Sequence, residues 1–296
     1  MKIAVIGAGK WGSALNYAFS QKNDVVISSR RKRDLPNFIP LEEALEYPYL
    51  VMAIPTQFVR EFMRRHFKNR GQKILVAAKG IEVSSGKFLN EVYGEFVKEN
   101  QLSFLSGPSF AAEVMKSLPT ALVVSSTNLE LAKEFANAMP SFIKAYVDDD
   151  VIGAEVAGAY KNIIAIAAGV CDGLELGNNA RAALISRGLV EMSRFGEFFG
   201  AKKDTFLSLG GAGDLFLTAS SNLSRNYRVG FNLAKRKRLE EILEELGEVA
   251  EGVATTKAVV EIGEEKGIYL PIANEVNNLL GGKEPLDSLK DLLSKD

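Results

Sequence analysis

Hydrophobic positions in the first half of the chain fall into short runs rich in β-branched residues, and each run is followed by a segment long enough for a helix. Such runs predict strands, and strands that alternate with helices predict a parallel, doubly wound sheet. The ligand crevice of such a sheet lies at the carboxyl ends of its strands. The predicted strands cover residues 3–6, 24–28, 49–54, 73–78 and 102–106, and two more at 120–125 and 141–147 extend the sheet around a helix at 128–139.

The second half of the chain has a different hydrophobic period. From about residue 148 onward the strand pattern disappears and apolar residues recur at helical spacing. The predicted helices cover residues 150–175, 178–199, 214–220, 224–237, 239–246, 252–266 and 271–280. The first is apolar nearly all round, so we expect it to be the buried spine of a second domain. The change of period predicts an α/β domain over 1–149 and an all-helical substrate and catalytic domain over 150–296, with the active site between them.

The first predicted strand leads directly into the motif Gly-Ala-Gly-Lys-Trp-Gly (7–12), which has the spacing G-x-G-x-x-G. In this context Gly7 permits the tight turn, Gly9 lets the backbone approach a pyrophosphate, and Gly12 lets the next helix pack closely on the strand. The helix N-terminus then presents its N–H groups to the phosphates. Because a second strand completes a βαβ unit, the motif predicts a bound dinucleotide rather than a simple turn.

The residues that follow the second strand indicate which dinucleotide is bound. An NAD site usually has an Asp or Glu there, but this chain has Ser-Ser-Arg-Arg-Lys-Arg (28–33). The guanidiniums of Arg30, Arg31 and Arg33 suit a 2′-phosphate, since Arg offers paired donors to phosphate oxygens. A basic run can also be a solvated turn or a nucleic-acid patch. Its position after the second strand favours NADP as the preferred cofactor, with NAD also open.

The composition narrows the class of protein. The 296 residues are 47% apolar and 25% charged, and the formal net charge of −1 gives no general attraction to nucleic acid or anionic membranes. Cys171 is the only cysteine, which excludes an intrachain disulfide and suits a cytoplasmic protein. The apolar segment 151–171 is broken by Glu155 and Lys161, so we expect a buried helix rather than membrane insertion. No His/Cys spacing predicts a metal site, and the oligomeric state stays open, with a homodimer as one option.

A redox reaction at a carbonyl needs a group that exchanges a proton, and histidine is the usual choice. The only histidine, His66, lies on a basic crossover helix with an exposed pattern. Lys161 is a better candidate, because its apolar helical neighbours should lower the pKa of its ammonium group. A lysine that reaches solvent from the helix edge is the alternative. Lys79 ends the fourth strand, where side chains reach ligands, and could polarise a carbonyl.

Three further segments are candidates for substrate contacts. Ser-Arg-Asn (224–226) opens a helix, so an N-cap, free N–H groups and a guanidinium suggest a phosphate site, although a simple cap is the alternative. Gly-Pro-Ser (107–109), after the fifth strand, is either a turn or a ligand-shaping loop. Gly-Gly-Ala-Gly (210–213) lacks the spacing of a P-loop and predicts a tight turn that presents Asp214 as a cap or as a partner for lysine or a substrate hydroxyl.

Motifs along essentially the whole chain resemble those of bacterial NAD(P)-dependent sn-glycerol-3-phosphate dehydrogenase. They are GAGKWGSA (7–14), AKGIE (78–82), SGPSFAAE (106–113), AYKNIIAIAAG (159–169), NARAALISRG (179–188), GDL (213–215), SRN (224–226) and VAEG (249–252). The resemblance implies reversible oxidation of sn-glycerol 3-phosphate to dihydroxyacetone phosphate, usually run in reverse to supply phospholipid synthesis. It also implies a Rossmann-type first domain and a second domain like the helical domain of 6-phosphogluconate dehydrogenase.

The same resemblance implies roles for individual residues. Lys161 would transfer the proton, and Lys79 would contact both substrate and cofactor. The other substrate contacts would be Gly107, Ser109, Asp214, Ser224, Arg225 and Asn226. The other cofactor contacts would be Gly7, Gly9, Trp11, Gly12, Arg30, Arg31, Arg33, Ala111, Arg225, Val249 and Glu251.

Two other interpretations fit parts of the sequence. A different two-domain β-hydroxyacid-type dehydrogenase would act on a carboxylate and would not need Ser-Arg-Asn (224–226). A non-catalytic NADP(H)-sensing protein would bind the cofactor without turnover, and it would leave Lys79 and Lys161 without a role.

Overall fold

A seven-stranded sheet organises the first half of the chain in the computed structural model of the protein, which describes residues 1–247 and 249–293. Every predicted strand is present, so the α/β prediction is confirmed. The strands are β1 (Lys2–Ile6), β2 (Asp24–Ser28), β3 (Tyr49–Met52), β4 (Lys73–Val76), β5 (Leu102–Ser106), β6 (Thr120–Ser125) and β7 (Ile143–Asp148).

The strand order is β2-β1-β3-β4-β5-β6-β7, and strands β1 to β5 are parallel. The direction of winding changes between β1 and β3, which makes their carboxyl ends the expected ligand crevice. Strand β6 pairs antiparallel with β5, and β7 is parallel to β6. The parallel prediction is therefore confirmed for β1 to β5, and the two further predicted strands extend the sheet. The connection from β5 to β6 contains only the four-residue helix Ala111–Val114 instead of a full crossover helix.

Apolar residues cover both faces of the sheet, as a doubly wound sheet requires. Ile3 and Val5 belong to one buried cluster, together with residues of the helix that follows β1. Ala4 and Ile6 belong to a second cluster, together with residues of β3 and β4. This alternation follows from the two-residue period of a strand.

Helices account for most of the remaining structure. In chain order they are α1 (Lys10–Ser20), α2 (Leu41–Ala44), α3 (Val59–His66), α4 (Leu89–Gly94), α5 (Ala111–Val114), α6 (Leu129–Ala138), α7 (Val151–Gly173), α8 (Gly177–Phe198), α9 (Lys203–Leu207), α10 (Asp214–Ala219), α11 (Arg225–Ala234), α12 (Leu239–Leu246), α13 (Glu251–Lys266), α14 (Pro271–Leu280) and α15 (Pro285–Leu293). Short 3₁₀ turns occupy Thr56–Phe58 and Glu99–Gln101. All predicted helices are present, and in the second half of the chain the prediction omitted α9 and α15.

The chain divides into two units. The first comprises Met1–Lys79 and Phe88–Ala154, and the second comprises Gly80–Lys87 and the chain from Glu155 onward. Within 155–247 and 249–293 the second unit contains helices and no strand, as predicted. The boundary at 149/150 stays a prediction, and the last three residues of the predicted second domain lie outside the described residues.

Helix α7 is the buried spine that its composition predicts. Of its most apolar 18-residue window, 94% is buried inside the protein, so it is a core helix although its length would suffice to cross a membrane. Helix α11 packs on it at backbone distance: a Cβ added to Gly230 would lie 1.8 Å from the carbonyl oxygen of Ile166, and one added to Gly169 would lie 2.0 Å from that of Tyr227. Only glycine fits this contact, which holds the start of α11 beside the middle of α7.

The glycine-rich segment before Asp214 is not the tight turn that its sequence predicts. Residues Leu209–Gly213 form one turn of π-helix that continues into α10, and the Ser208 hydroxyl accepts the N–H of Gly210 at 3.2 Å. Gly211 lies against the backbone of Phe206, where a Cβ would be 2.4 Å from the carbonyl oxygen. Close packing on the preceding helix therefore determines the conformation, and it makes Asp214 the first residue of α10.

Candidate active site

Lys161 lies on the buried helix α7, and its side chain forms an ion pair within the second unit. Its Nζ is 2.5 Å from Oδ1 of Asp214 and 3.1 Å from Oγ1 of Thr218. Lys161 is 8% exposed and Asp214 is 1% exposed. Of the roles open to Asp214 in the sequence, pairing with lysine is the one found here.

Thr218 is a polar residue of this cluster that the sequence did not single out. Its hydroxyl donates to the carbonyl oxygen of Asp214 at 2.6 Å, so its oxygen is left to accept from Lys161. The signal was the spacing: residues 214 and 218 are one helical turn apart and share a face. That signal has meaning only once Asp214 is known to begin a helix.

The surroundings of Lys161 are partly those expected. Ala157, Ile164 and Ala165 are fully buried, as their apolar character predicts. The carboxylate of Asp214, which the sequence offered as a possible partner for lysine, adds a charge to this apolar environment. An opposite charge at hydrogen-bond distance stabilises the ammonium form. The cluster is therefore a buried, hydrogen-bonded pair of lysine and carboxylate.

The residue before Lys161 anchors helix α7 to two other helices. The Tyr160 hydroxyl donates to Glu191 of α8 at 2.7 Å. The same carboxylate accepts the backbone N–H groups of Ile272 and Ala273, at 2.9 and 2.8 Å, at the start of α14. Burial raises the pKa of the Glu191 carboxyl, and these hydrogen bonds act in the opposite direction. The anchor limits how far the backbone at Lys161 can shift.

The segment Ser-Arg-Asn (224–226) opens α11 as predicted, with Ser224 as its N-cap: its hydroxyl accepts the N–H of Tyr227 at 3.3 Å. Nη1 of Arg225 donates to the carbonyl oxygen of Val249 at 3.0 Å. Asn226 is buried, and its Nδ2 donates to Oδ1 of Asn162 at 2.9 Å.

Asn226 therefore contacts Asn162, the residue that follows Lys161. Asn162 is a second polar residue that the sequence did not single out. Oδ1 of Asn226 accepts the N–H of Gly252 at 3.0 Å. Gly252 directly follows Glu251, the first residue of α13. Three of the motifs, at 159–169, 224–226 and 249–252, thus meet within the second unit.

In the first unit, the segment after β5 lies beside the end of β4. Nζ of Lys79 is 3.5 Å from the carbonyl oxygen of Gly107, and the Ser109 hydroxyl donates to the same oxygen at 3.2 Å. Gly107 has a φ of +105°, which favours glycine. Ala111 follows as the first residue of α5. The predicted candidates from two separate motifs are brought together here.

The glycine loop has the close packing that its motif predicts. A Cβ on Gly7 would lie 2.4 Å from the carbonyl oxygen of Ala53, and one on Gly12 would lie 1.7 Å from that of Gly7. Gly9 has open space around its Cα. Helix α1 begins without a side-chain cap or an acidic residue in its first turn, which suits an anion. The loop therefore fits a dinucleotide pyrophosphate.

Other residues predicted to contact the cofactor lie within this loop or after β2. Nε1 of Trp11 donates to the carbonyl oxygen of Ala77 at 3.1 Å, so the ring is fixed against the end of β4. Arg30, Arg31 and Arg33 are exposed and follow β2 directly. His66, the last residue of α3, is exposed, as the sequence predicts.

A doubly wound sheet with a glycine loop, followed by a helical unit with a buried lysine–carboxylate pair, defines a two-domain nicotinamide-dependent dehydrogenase. The family models described as NAD-dependent glycerol-3-phosphate dehydrogenase N-terminus and C-terminus match residues 34–132 and 150–291. The chain belongs to the NAD(P)-dependent glycerol-3-phosphate dehydrogenase family, which confirms the resemblance seen in its motifs. It is an oxidoreductase of the NAD(P) class.

Individual relatives are similar over their whole length. The chain is 62% identical over 293 residues to glycerol-3-phosphate dehydrogenase [NAD(P)+] of Sulfurimonas denitrificans, covering 99% of each chain. It is 59% identical over 296 residues to that of a Nitratiruptor species, covering 100% of this chain and 99% of the relative. The crystal structure of glycerol-3-phosphate dehydrogenase from Coxiella burnetii is similar with a TM-score of 0.92 at 31% identity, covering 99% of each chain. These matches favour this family over the two other interpretations of the sequence.

Proposed function

We propose that the protein catalyses the reversible reduction of dihydroxyacetone phosphate to sn-glycerol 3-phosphate with NAD(P)H, and that Lys161 transfers the proton. The observation that carries this proposal is the buried cluster of Lys161, Asp214 and Thr218 in a member of this family. The nicotinamide, when bound, supplies the hydride that adds to the C2 carbon of the ketone. The chain must then supply a proton to the carbonyl oxygen.

Lys161 is suited to that proton transfer. During reduction its ammonium N–H donates to the carbonyl oxygen as the C2 carbon gains hydride, so the ketone becomes a secondary alcohol and the lysine becomes neutral. In the reverse direction the neutral amine removes the hydroxyl proton. Asp214 compensates the ammonium charge in the resting state, and Thr218 orients Nζ through its accepting oxygen. The lysine regains its proton from solvent between turnovers.

The remaining substrate contacts follow from the phosphate group. We assign them to the start of α11, where Ser224, Arg225 and Asn226 offer an N-terminus, a guanidinium and an amide. Lys79, Gly107 and Ser109 complete the proposed set.

For the cofactor, Gly7, Gly9 and Gly12 form the pyrophosphate loop, and Trp11, Lys79, Ala111, Arg225, Val249 and Glu251 are the further proposed contacts. Arg30, Arg31 and Arg33 supply the preference for NADP over NAD. The names of the relatives include both cofactors, so the preference is a quantitative one.

The direct test is a spectrophotometric assay of the purified protein. NADPH absorbance is expected to fall when dihydroxyacetone phosphate is added, and NADP+ reduction is expected with sn-glycerol 3-phosphate. Dihydroxyacetone without phosphate serves as the matched control, and we expect it to be a much poorer substrate. A protein that binds NADPH but turns over neither phosphorylated substrate would contradict the proposal.

Cofactor preference is tested by Arg30→Ala combined with Arg31→Ala. Loss of charged hydrogen bonds to a 2′-phosphate is expected to lower kcat/KM for NADPH by about tenfold or more, while kcat/KM for NADH, which lacks that phosphate, changes little. The control is Arg64→Ala with Arg65→Ala, which removes the same charge from the exposed end of α3. If the NADPH to NADH ratio is the same in both double variants, the arginines after β2 do not read the 2′-phosphate.

In the cell, we propose that the enzyme acts in the cytoplasm and supplies glycerol 3-phosphate for phospholipid synthesis. Neither nucleic acid nor membrane insertion has a part in this function. A homodimer is the assembly we would test first, by light scattering of the purified protein.

A further inference from the structure

The amide of Asn226 is held in one orientation by backbone groups at both ends of a short hydrogen-bonded network. At one end the N–H of Gly252, which can only donate, lies 3.0 Å from Oδ1 of Asn226. At the other end the carbonyl oxygen of Gly158, which can only accept, receives Nδ2 of Asn162 at 3.2 Å. Oδ1 of Asn162 therefore faces Nδ2 of Asn226, at 2.9 Å. Neither amide can be reversed without losing a bond to the backbone.

This orientation leaves one donor unused. Nδ2 of Asn226 carries two N–H bonds, and only the one to Asn162 has a partner among residues 1–247 and 249–293. Asn226 is 8% exposed, so little of the residue reaches solvent. A buried donor without a partner is costly unless a ligand or an ordered water supplies an acceptor. The oxygen of a phosphate or hydroxyl group is such an acceptor.

Gly252 makes this arrangement possible in two ways. It lies in the first turn of α13, where backbone N–H groups have no partner within the helix, so its N–H is available to Asn226. It also has no Cβ: one built there would lie 2.6 Å from Oδ1 of Asn226 and 3.0 Å from the carbonyl oxygen of Asn162. Any side chain at position 252 would have to displace the Asn226 amide, since the other contact is backbone.

We propose that Gly252 is a positioning residue for substrate binding, which fixes the Asn226 amide so that its second Nδ2–H is presented to an oxygen of the phosphorylated substrate. Gly252 does not touch the substrate itself and acts through Asn226. This inference rests on the proposed role of Asn226 in substrate binding. It adds the reason why a glycine is required at position 252. It also assigns which atom of the Asn226 amide, Nδ2, faces the substrate.

The test is a double-mutant cycle of Gly252→Ala and Asn226→Ala, with KM for dihydroxyacetone phosphate, kcat and the NADPH dissociation constant measured for each variant. Gly252→Ala is expected to raise KM by about 10- to 100-fold, the scale of a lost hydrogen bond to a charged group, with NADPH binding near its wild-type value. In the Asn226→Ala background the same substitution is expected to have no further effect on KM, because its target is gone.

The matched control is Gly263→Ala, which adds the same methyl group to the same helix. Its Cβ would lie 2.6 Å from Cδ1 of Leu270, the end of a flexible side chain, and 3.6 Å from the carbonyl oxygen of Ile268, so its one close contact is with a side-chain end. We expect a near-wild-type KM for this control. If Gly252→Ala does not accumulate as folded protein, Asn162→Ala takes its place in the cycle, because it removes the acceptor at the other end of the Asn226 amide.

The outcomes test the positioning role of Gly252 and the substrate role of Asn226 separately. An equal rise in KM for Gly252→Ala with and without Asn226 would overturn the positioning role, because the effect would not pass through the amide. A wild-type KM for Asn226→Ala would overturn the substrate role of Asn226, and the positioning role with it. Failure of the proposed function would be visible separately, as lack of turnover in the wild-type protein.

Discussion

Replacing Lys161 with alanine is expected to lower kcat for dihydroxyacetone phosphate reduction by about a hundredfold or more, the usual scale for loss of a general acid. The NADPH dissociation constant is expected to stay near its wild-type value, because Lys161 is not among the proposed cofactor contacts. The reason for the large effect is that Lys161 is the proposed proton donor, and it is buried where water cannot readily take its place. Single-turnover absorbance measurements would separate the chemical step from cofactor binding.

A control for the loss of positive charge is Lys257→Ala. Lys257 lies on α13 in the same unit, but its side chain is 63% exposed and its ion pair with Glu261 is at the surface. This variant is expected to have wild-type kcat. If Lys161→Ala retained wild-type kcat under conditions where Lys257→Ala does so too, Lys161 would be removed from the mechanism.

The second large effect is expected from Asp214→Asn, in both stability and activity. This change removes the Asp214 charge from the buried Lys161 ammonium, and breaking a buried ion pair from one side typically costs about 3–5 kcal/mol. We expect the free energy of unfolding of the second unit to fall on that scale, measured by urea titration with helical circular dichroism. We also expect kcat to fall, because the neutral amide no longer stabilises the protonated lysine.

Asp287→Asn is the matched control for this substitution. It makes the same chemical change to an aspartate that pairs with Lys290 at 2.8 Å, but that carboxylate side chain is 57% exposed. Exposed pairs typically contribute about 0–1 kcal/mol, so little loss is expected. A double variant, Lys161→Met with Asp214→Leu, is expected to recover much of the stability without activity, because apolar residues often replace a buried pair without loss. Equal destabilisation by Asp214→Asn and Asp287→Asn would contradict the assigned role of the buried pair.

Much of the fold follows from local patterns in the sequence. The βαβ unit at residues 1–28 is predictable because the strand, the glycine spacing and the helix are contiguous and each has its own signal. Other features depend on contacts distant in sequence. The antiparallel pairing of β6 reflects the connection after Gly107. The π-turn before Asp214 reflects close packing of Gly211 on Phe206.

The candidate site divides in the same way. Lys161, Asp214 and the start of α11 were predictable as separate candidates, since each has a local signal such as an apolar helix or an N-cap. Thr218 and Asn162 were not, because their polarity has no meaning until the partner on another helix is known. The sequence could offer the pairing of Asp214 with a lysine only as one of several options, because no local pattern places a carboxylate from residue 214 beside residue 161.

In the proposed reaction, hydride moves between the nicotinamide and the C2 carbon of a three-carbon phosphate. The most direct measurement follows isotope transfer from NADPH deuterated at both C4 positions to dihydroxyacetone phosphate, with the product analysed by mass spectrometry and NMR. We predict one deuterium, bonded to C2 of sn-glycerol 3-phosphate, in the wild-type protein and at a much lower rate in Lys161→Ala. Product without deuterium at C2, or no product from the wild-type protein, would contradict the account.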